Sequence, residues 1–142
     1  ITEQVFIGDL DRARKRLQCF RESGFYTALD DFGTGYSSFH YLKHLPVDSL
    51  KIDRAFVVDL ATQTRSRAIL RAIAGVCREL KLDAVIEGVE TDAQRQAVVD
   101  MGFQLAQGFV FHRPQPAPEI SSLLLGAQAK AAAPLQAQRP NA

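Results

Sequence analysis

Eleven consecutive residues decide the fold class of this chain, and they run Ala28-Leu29-Asp30-Asp31-Phe32-Gly33-Thr34-Gly35-Tyr36-Ser37-Ser38. An apolar segment, residues 25–29, ends in two adjacent carboxylates, and a glycine-spaced turn rich in hydroxyl groups follows at once. This order predicts a buried strand whose C-terminal end opens into a polar loop. In α/β proteins, ligands bind at that edge of the strands.

The two carboxylates of Asp30 and Asp31 would repel each other, so one stays protonated unless a cation holds both. Carboxylate oxygens are hard ligands that suit Mg²⁺ or Mn²⁺. Gly33 and Gly35 let the backbone turn sharply or approach a ligand closely. The alternative is a surface Asp-Asp pair at the start of a turn, with Asp31 as a helix cap. The complete run favours the metal site over that alternative.

Size and composition narrow the function classes. The chain has 142 residues, 46% of them hydrophobic and 23% charged, which is enough for one modest soluble domain. Its net charge, 17 − 16 = +1, gives no basic field for a nucleic-acid polymer or an anionic membrane. Neither a membrane-spanning apolar run nor a signal peptide is visible, so we expect a cytoplasmic location, with any membrane tether in other domains. Cys19 and Cys77 fall on apolar helix faces and are predicted to be reduced core residues.

The chain opens in the middle of a pattern. It begins at Ile1 without a methionine, and residues 1–5 resemble the end of a strand. We therefore expect a fragment of a larger protein.

Strand and helix patterns alternate four times along the chain. The predicted strands are residues 25–29, 47–53, 83–87 and 103–106, and an amphipathic helix precedes or follows each one. This order predicts a parallel sheet with right-handed crossovers. Residues 119–125 are predicted to form a last short helix. Residues 126–142 are rich in Ala, Gln and Pro and are predicted to be a flexible tail.

Polar residues collect at the ends of these strands. Because the strands are parallel, their C-terminal ends share one edge, which is where barrel active sites lie. Leu50 and Ile52 alternate with Lys51, so we predict that the lysine points away from the helices and needs a partner, which metal-bound carboxylates or a phosphate would supply. Taken singly, Lys51 could be an exposed edge residue and Glu87 an acid at a helix N-terminus. The residues at the strand ends are Asp30, Asp31, Lys51, Asp53, Glu87 and Gln107.

Four segments together resemble a known family, the EAL-domain cyclic di-GMP phosphodiesterases, in order and in spacing. The resemblance covers about residues 1–125. It implies a TIM-like (β/α)₈ barrel, of which this chain supplies roughly the C-terminal half, about four β/α units. It also implies metal-dependent hydrolysis of cyclic di-GMP to pGpG. The matching segments are 30–38 (Asp-Asp-Phe-Gly-Thr-Gly-Tyr-Ser-Ser), 45–53 (Leu-Pro-Val-Asp-Ser-Leu-Lys-Ile-Asp), 87–90 (Glu-Gly-Val-Glu) and 107–109 (Gln-Gly-Phe).

The resemblance implies a role for each matching residue. Asp30, Asp31 and Glu87 are implied metal ligands for Mg²⁺ or Mn²⁺ in a two-metal site that is incomplete in this chain. Lys51 and Glu87 are implied catalytic residues. Gln107 and Asp53 are implied substrate-binding residues. Glu3 is implied to steady a loop that couples the metal site to a dimer interface. The implied loop comprises Phe32, Gly33, Thr34, Gly35, Tyr36, Ser37 and Ser38.

The resemblance also implies partners and leaves alternatives. The implied ligand is cyclic di-GMP, and the implied assembly is a homodimer through the barrel, with a possible upstream GGDEF, PAS or receiver domain. The family's Glu-Ala-Leu signature and further ligands would lie before Ile1, so we expect this chain alone to be inactive. The first alternative is a catalytically inactive cyclic di-GMP-binding regulatory module. The second is an open-sheet phosphatase or receiver-like domain, a pattern in which the segments at Glu87 and Gln107 have no place.

Overall fold

The computed structural model of the chain describes residues 1–2, 9–33, 39–60 and 62–132. The chain forms two compact units, Ile1–His112 and a second one that begins at Arg113. This division lies earlier than the boundary predicted at residue 125. Prolines at positions 114 and 116 follow the division, and they disfavour regular structure directly after it.

The first unit alternates helices and strands as predicted. Two of its helices begin where the sequence supplies capping groups. Asp9 accepts a hydrogen bond from the Arg12 N–H at 2.8 Å, and Thr91 and Gln94 form a reciprocal capping box. The elements are α1 (Leu10–Glu22), β1 (Ala28–Phe32), α2 (Phe39–His44), β2 (Ser49–Ile52), a 3₁₀ turn (Arg54–Phe56), α3 (Thr64–Leu80), β3 (Asp83–Ile86), α4 (Asp92–Asp100) and β4 (Leu105–Ala106).

The four strands form one parallel sheet in the order β1-β2-β3-β4. The strands therefore lie side by side in the same order as in the sequence, as consecutive strands of a barrel do. Thr2 adds an isolated parallel bridge to Asp30 on the outer side of β1. The predicted α/β class with a parallel sheet is confirmed.

A single hydrophobic core covers one face of the sheet. Leu50 and Ile52 of β2 are completely buried, and they share this core with Leu70 and Ile73 of α3. Lys51 lies between the two buried residues and is only partly buried. The predicted alternation in β2 is therefore confirmed, and it directs Lys51 away from the core.

Several predicted boundaries change. The first strand starts at Ala28 and runs through both aspartates to Phe32, whereas Phe25 and Tyr26 lie outside it and are exposed. The reason is that strand pairing begins where Asp48 holds Thr27, whose N–H and hydroxyl both donate to one carboxylate oxygen. Cys77 is buried as predicted, but Cys19 is exposed, so the prediction of a core position was wrong for Cys19.

The second unit contains α5, Ala117–Ala132. This helix is longer than the predicted helix at residues 119–125, and it continues into the segment predicted to be a flexible tail. Alanine and leucine favour helix formation, which explains why the helix continues past residue 125. Among the described residues, none of the helices combines the length and the apolar character needed to cross a bilayer.

Candidate functional site

A β-bulge at the end of β1 brings two acidic side chains to one side of the sheet. Leu29 pairs with Leu50 and Phe32 pairs with Ile52, so two aspartates of β1 lie opposite Lys51 alone. In a regular strand, adjacent side chains point to opposite faces. Here the extra residue, together with a left-handed backbone at Asp31 (φ 57°), breaks that alternation. Asp is one of the few residue types that adopts this conformation readily.

Three carboxylates converge as a result. One oxygen from each of Asp30, Asp31 and Glu87 lies within 4.8 Å of the other two. Glu87 follows β3 directly, and its N–H donates to the Ile52 carbonyl at 3.0 Å, which fixes it next to the end of β2. Two of the carboxylates are partly buried and that of Asp31 is exposed, so the cluster opens to solvent on one side.

The Lys51 ammonium joins two of these carboxylates. Its Nζ lies 2.6 Å from Asp30 Oδ1 and 2.6 Å from Glu87 Oε1. The hydrogen bond from Lys51 holds the pKa of Asp30 below its ordinary value, and the hydrogen bonds to Asp30 and Glu87 raise the pKa of Lys51. The ammonium and the Asp30 carboxylate are therefore charged at neutral pH, and the predicted partner of Lys51 is present.

These residues fit a divalent cation. Carboxylate oxygens on three different strand-end positions can bind Mg²⁺ or Mn²⁺, which prefer oxygen ligands. All three residues are among the predicted metal ligands, and the structure brings them together, while their role as ligands stays a prediction. Within the described residues this is the one group of acidic, histidine or cysteine side chains with such geometry.

Gln107 and Asp53 also lie at the strand ends. The Gln107 N–H donates to the Ile86 carbonyl at 2.7 Å, so Gln107 lies beside Glu87. The Gln107 side chain is exposed at the C-terminal edge of the sheet. The Asp53 carboxylate accepts the Ala55 N–H at 2.8 Å. Their substrate-binding roles stay predictions.

The predicted coupling loop is only partly described. Phe32 is buried and its ring packs edge-on against Phe39, with centroids 5.7 Å apart, and Gly33 follows with a φ of 105°. Five residues of that loop, and the residue predicted to steady it, lie outside the described part of the chain. These are Glu3, Thr34, Gly35, Tyr36, Ser37 and Ser38.

Sequence reasoning missed the residues that set the spacing between the strand ends. A Cβ at Gly88 would lie 2.3 Å from Arg54 Cβ, and a Cβ at Gly108 would lie 2.0 Å from the Val89 carbonyl oxygen. Each glycine thus permits a close approach that no other residue allows. The only sequence signal was a glycine directly after each strand-end polar residue, Glu87 and Gln107.

The charge pair predicts how stability depends on pH in metal-free buffer. Folding lowers the pKa of Asp30, so the ionised carboxylate stabilises the folded state. This stabilisation is fully present above the unfolded-state pKa of about 3.9, and it is lost as the pH falls through the lower folded-state pKa. Folding raises the pKa of Lys51, so the charged ammonium also stabilises the folded state. This stabilisation is fully present below the unfolded-state pKa of about 10.4, and it is lost as the pH rises through the higher folded-state pKa. We expect Lys51→Met to destabilise the protein most between these limits.

Urea unfolding in the presence of EDTA, at pH values from about 3 to 11, measures this dependence. The matched control is Lys15→Met, which removes an exposed lysine of α1 and is expected to have little effect at any pH. A Lys51→Met deficit that stays the same at acid and neutral pH would contradict the assignment of the pair.

Comparison with known proteins identifies the family. A family profile described as EAL domain matches residues 1–114. The cyclic di-GMP phosphodiesterase NbdA of Pseudomonas aeruginosa is 38% identical over 136 residues, which are 96% of this chain and 17% of NbdA. The crystal structure of the EAL domain of Mycobacterium smegmatis DcpA matches with a TM-score of 0.84 at 40% identity, over 89% of this chain and 56% of that one.

A second solved structure, the PaMucR phosphodiesterase in complex with c-di-GMP, matches with a TM-score of 0.77 at 42% identity. The match covers 84% of this chain and 49% of that one, so the chain spans about half of these solved structures. The predicted relation to EAL barrels, with this chain covering part of the barrel, is thereby confirmed. The chain belongs to the EAL domain family.

Proposed function

We propose that the whole protein containing this chain hydrolyses one phosphodiester bond of cyclic di-GMP and releases linear pGpG. The observation that carries this proposal is the convergence of three carboxylates around Lys51 at the strand ends of an EAL domain. The relative NbdA is described as a cyclic di-GMP phosphodiesterase, and PaMucR was solved with c-di-GMP. Both relations favour the same substrate for this protein.

Asp30, Asp31 and Glu87 are the proposed ligands for Mg²⁺ or Mn²⁺. When bound, a divalent cation neutralises phosphate charge and makes water a better nucleophile near neutral pH. A two-metal site would need further oxygen ligands from outside the described cluster, and we propose that the rest of the EAL domain supplies them. Preorganised charge of this kind is usually the largest single contribution to an enzyme's rate enhancement.

The side chains of this chain have distinct proposed tasks. Lys51, which both carboxylates hold in place, directs its remaining N–H group toward a phosphate oxygen or the attacking water. Water attacks phosphorus and gives up a proton to solvent, the bond from phosphorus to the 3′ oxygen breaks, and that oxygen takes up a proton from solvent. Glu87 lies beside Lys51 and helps to orient the water. The exposed Gln107 amide offers a donor and an acceptor to the nucleotide.

The remaining parts of the proposal concern the whole protein. We propose a cytoplasmic EAL domain that forms a homodimer through the barrel, with a possible GGDEF, PAS or receiver domain upstream. Relatives such as MucR, described as a bifunctional diguanylate cyclase and phosphodiesterase, support a combination of domains. The described sheet has four strands, whereas a closed barrel needs eight. The isolated chain is therefore proposed to be inactive.

The test compares the whole protein with the isolated chain. Each is incubated with cyclic di-GMP and Mg²⁺ or Mn²⁺, and pGpG is separated by chromatography. We expect pGpG from the whole protein, none after EDTA treatment and none from the isolated chain. Binding of cyclic di-GMP without turnover by the whole protein would overturn the enzyme proposal in favour of the regulatory module. Robust turnover by the isolated chain would overturn the inactivity proposal.

A further inference from the structure

The 3₁₀ turn Arg54–Phe56 lies between the strand ends that carry the three carboxylates. On one side, the Phe56 ring packs on Gly33, where a Cβ would lie 2.0 Å from Phe56 Cε2. On the other side, Arg54 packs on Gly88, as described above. Gly33 follows Asp31 by two positions and Gly88 follows Glu87 directly. The turn therefore contacts the backbone on both sides of the carboxylate cluster.

Asp53 fixes this turn by three hydrogen bonds. Its carboxylate accepts the Ala55 N–H at 2.8 Å, and its carbonyl accepts the Phe56 N–H at 3.2 Å. Its own N–H donates to the Phe32 carbonyl at 3.3 Å, which ties the turn to the end of β1. An aspartate or asparagine that bonds the N–H two residues ahead pre-sets such a turn. The carboxylate of Asp53 is thus engaged with its own backbone.

We propose that Asp53 is a positioning residue, whose side chain holds the turn Arg54–Phe56 as a spacer that sets the separation of Asp31 and Glu87. This inference rests on the proposed function, because it assigns those carboxylates to metal binding. It differs from a substrate-binding role for Asp53, because a contact with substrate would leave the Mn²⁺ affinity of the substrate-free protein unchanged. The spacer role needs a hydrogen-bond acceptor at this position, whereas a direct contact with the metal needs the negative charge.

The experiment uses Asp53→Asn and Asp53→Ala in the whole protein. Asparagine keeps the acceptor and loses the charge, and alanine loses both. We measure Mn²⁺ affinity by calorimetry without substrate, and kcat and KM separately with cyclic di-GMP. Loss of a side-chain cap costs about fivefold in an equilibrium, so we expect Asp53→Ala to weaken Mn²⁺ binding by about that factor. We expect the Mn²⁺ affinity of Asp53→Asn to stay within about twofold of that of the wild type, since Asn and Asp cap equally well.

A second pair of variants tests the spacer itself and does not depend on the fold surviving Asp53→Ala. Phe56→Ala removes the ring that packs on Gly33 and is expected to weaken Mn²⁺ binding. The control Val58→Ala trims a side chain that is 72% exposed in the same segment and is expected to leave Mn²⁺ affinity unchanged. For Asp53→Ala and Phe56→Ala, kcat should fall more than KM rises, because the turn is assigned no contact with substrate.

Two results would overturn the proposal. Equal loss of Mn²⁺ affinity in Asp53→Asn and Asp53→Ala would show that the charge matters rather than the acceptor. Unchanged Mn²⁺ affinity in Phe56→Ala would show that the turn is not a spacer. A wild-type protein that binds Mn²⁺ but does not hydrolyse cyclic di-GMP would defeat the proposed function alone, because the ranking of Mn²⁺ affinities still decides the role of Asp53.

Discussion

Asp31→Asn is expected to weaken Mn²⁺ binding by the whole protein by about a hundredfold or more, since loss of an outer-shell partner alone costs about 10–100-fold. Hydrolysis of cyclic di-GMP should fall at least as far. Asparagine has the same shape as aspartate and also adopts the left-handed backbone found at this residue (φ 57°). The β-bulge is therefore kept, and only the charge is removed.

The measurements are calorimetric titration with Mn²⁺ and chromatography of pGpG. The matched control is Asp92→Asn, which removes a carboxylate that is 83% exposed and paired with Arg95 on α4. We expect this control to bind Mn²⁺ like wild type. Wild-type affinity in Asp31→Asn would instead show that Asp31 does not bind the metal, and the cluster would reduce to Asp30 and Glu87.

The same residue marks the limit of what the sequence could predict about the site. Sequence reasoning placed Asp30 and Asp31 together at a strand end, and the structure agrees. Strict alternation would nevertheless have turned the two side chains to opposite faces. The bulge that reunites them arises from pairing between β1 and β2, where two aspartates lie opposite Lys51. Local sequence patterns do not predict such pairing, because it depends on residues that are far apart in the sequence.

Lys51 shows the opposite case. Its direction followed from the alternation with Leu50 and Ile52, because burying two large apolar side chains is worth several kcal/mol and fixes the strand's orientation. Phe25 and Tyr26 were misplaced in the first strand because apolar character alone does not show which residues pair. The hydrogen bonds between Thr27 and Asp48 mark the actual start of pairing, and they too join distant segments.

The glycines at the strand ends could not be interpreted from the sequence for the same reason. A glycine after Glu87 or Gln107 is compatible with a turn, a bulge or a close approach. The structure shows a close approach at Gly108. Its Cα lies against the backbone of Val89, whose N–H donates to the Gln107 carbonyl and whose carbonyl accepts the Val110 N–H, both at 3.1 Å. This backbone contact joins the loops that follow β3 and β4.

Gly108→Ala is therefore expected to lower the free energy of unfolding of the whole protein by about 2–4 kcal/mol, from overpacking and from weakened hydrogen bonds. The added Cβ would lie 2.0 Å from the Val89 carbonyl oxygen and 2.4 Å from the Val89 nitrogen. Backbone atoms cannot rotate away as a side chain can, so the two loops must separate. Since Val89 follows Glu87 by two residues, Mn²⁺ affinity should fall as well.

Gly75→Ala is the matched control, because the same methyl group is added at a glycine of α3, where the new Cβ would have no atom within 4 Å apart from its chain neighbours and its own helix backbone. Alanine in a helix interior is favoured over glycine by about 0.5–1 kcal/mol, so this variant should be slightly more stable than wild type. Urea unfolding of both variants, with and without Mn²⁺, gives the comparison. Stability of Gly108→Ala equal to that of Gly75→Ala would mean that the loops can part without cost. The contact between Gly108 and Val89 would then not be what holds Glu87 and Gln107 side by side.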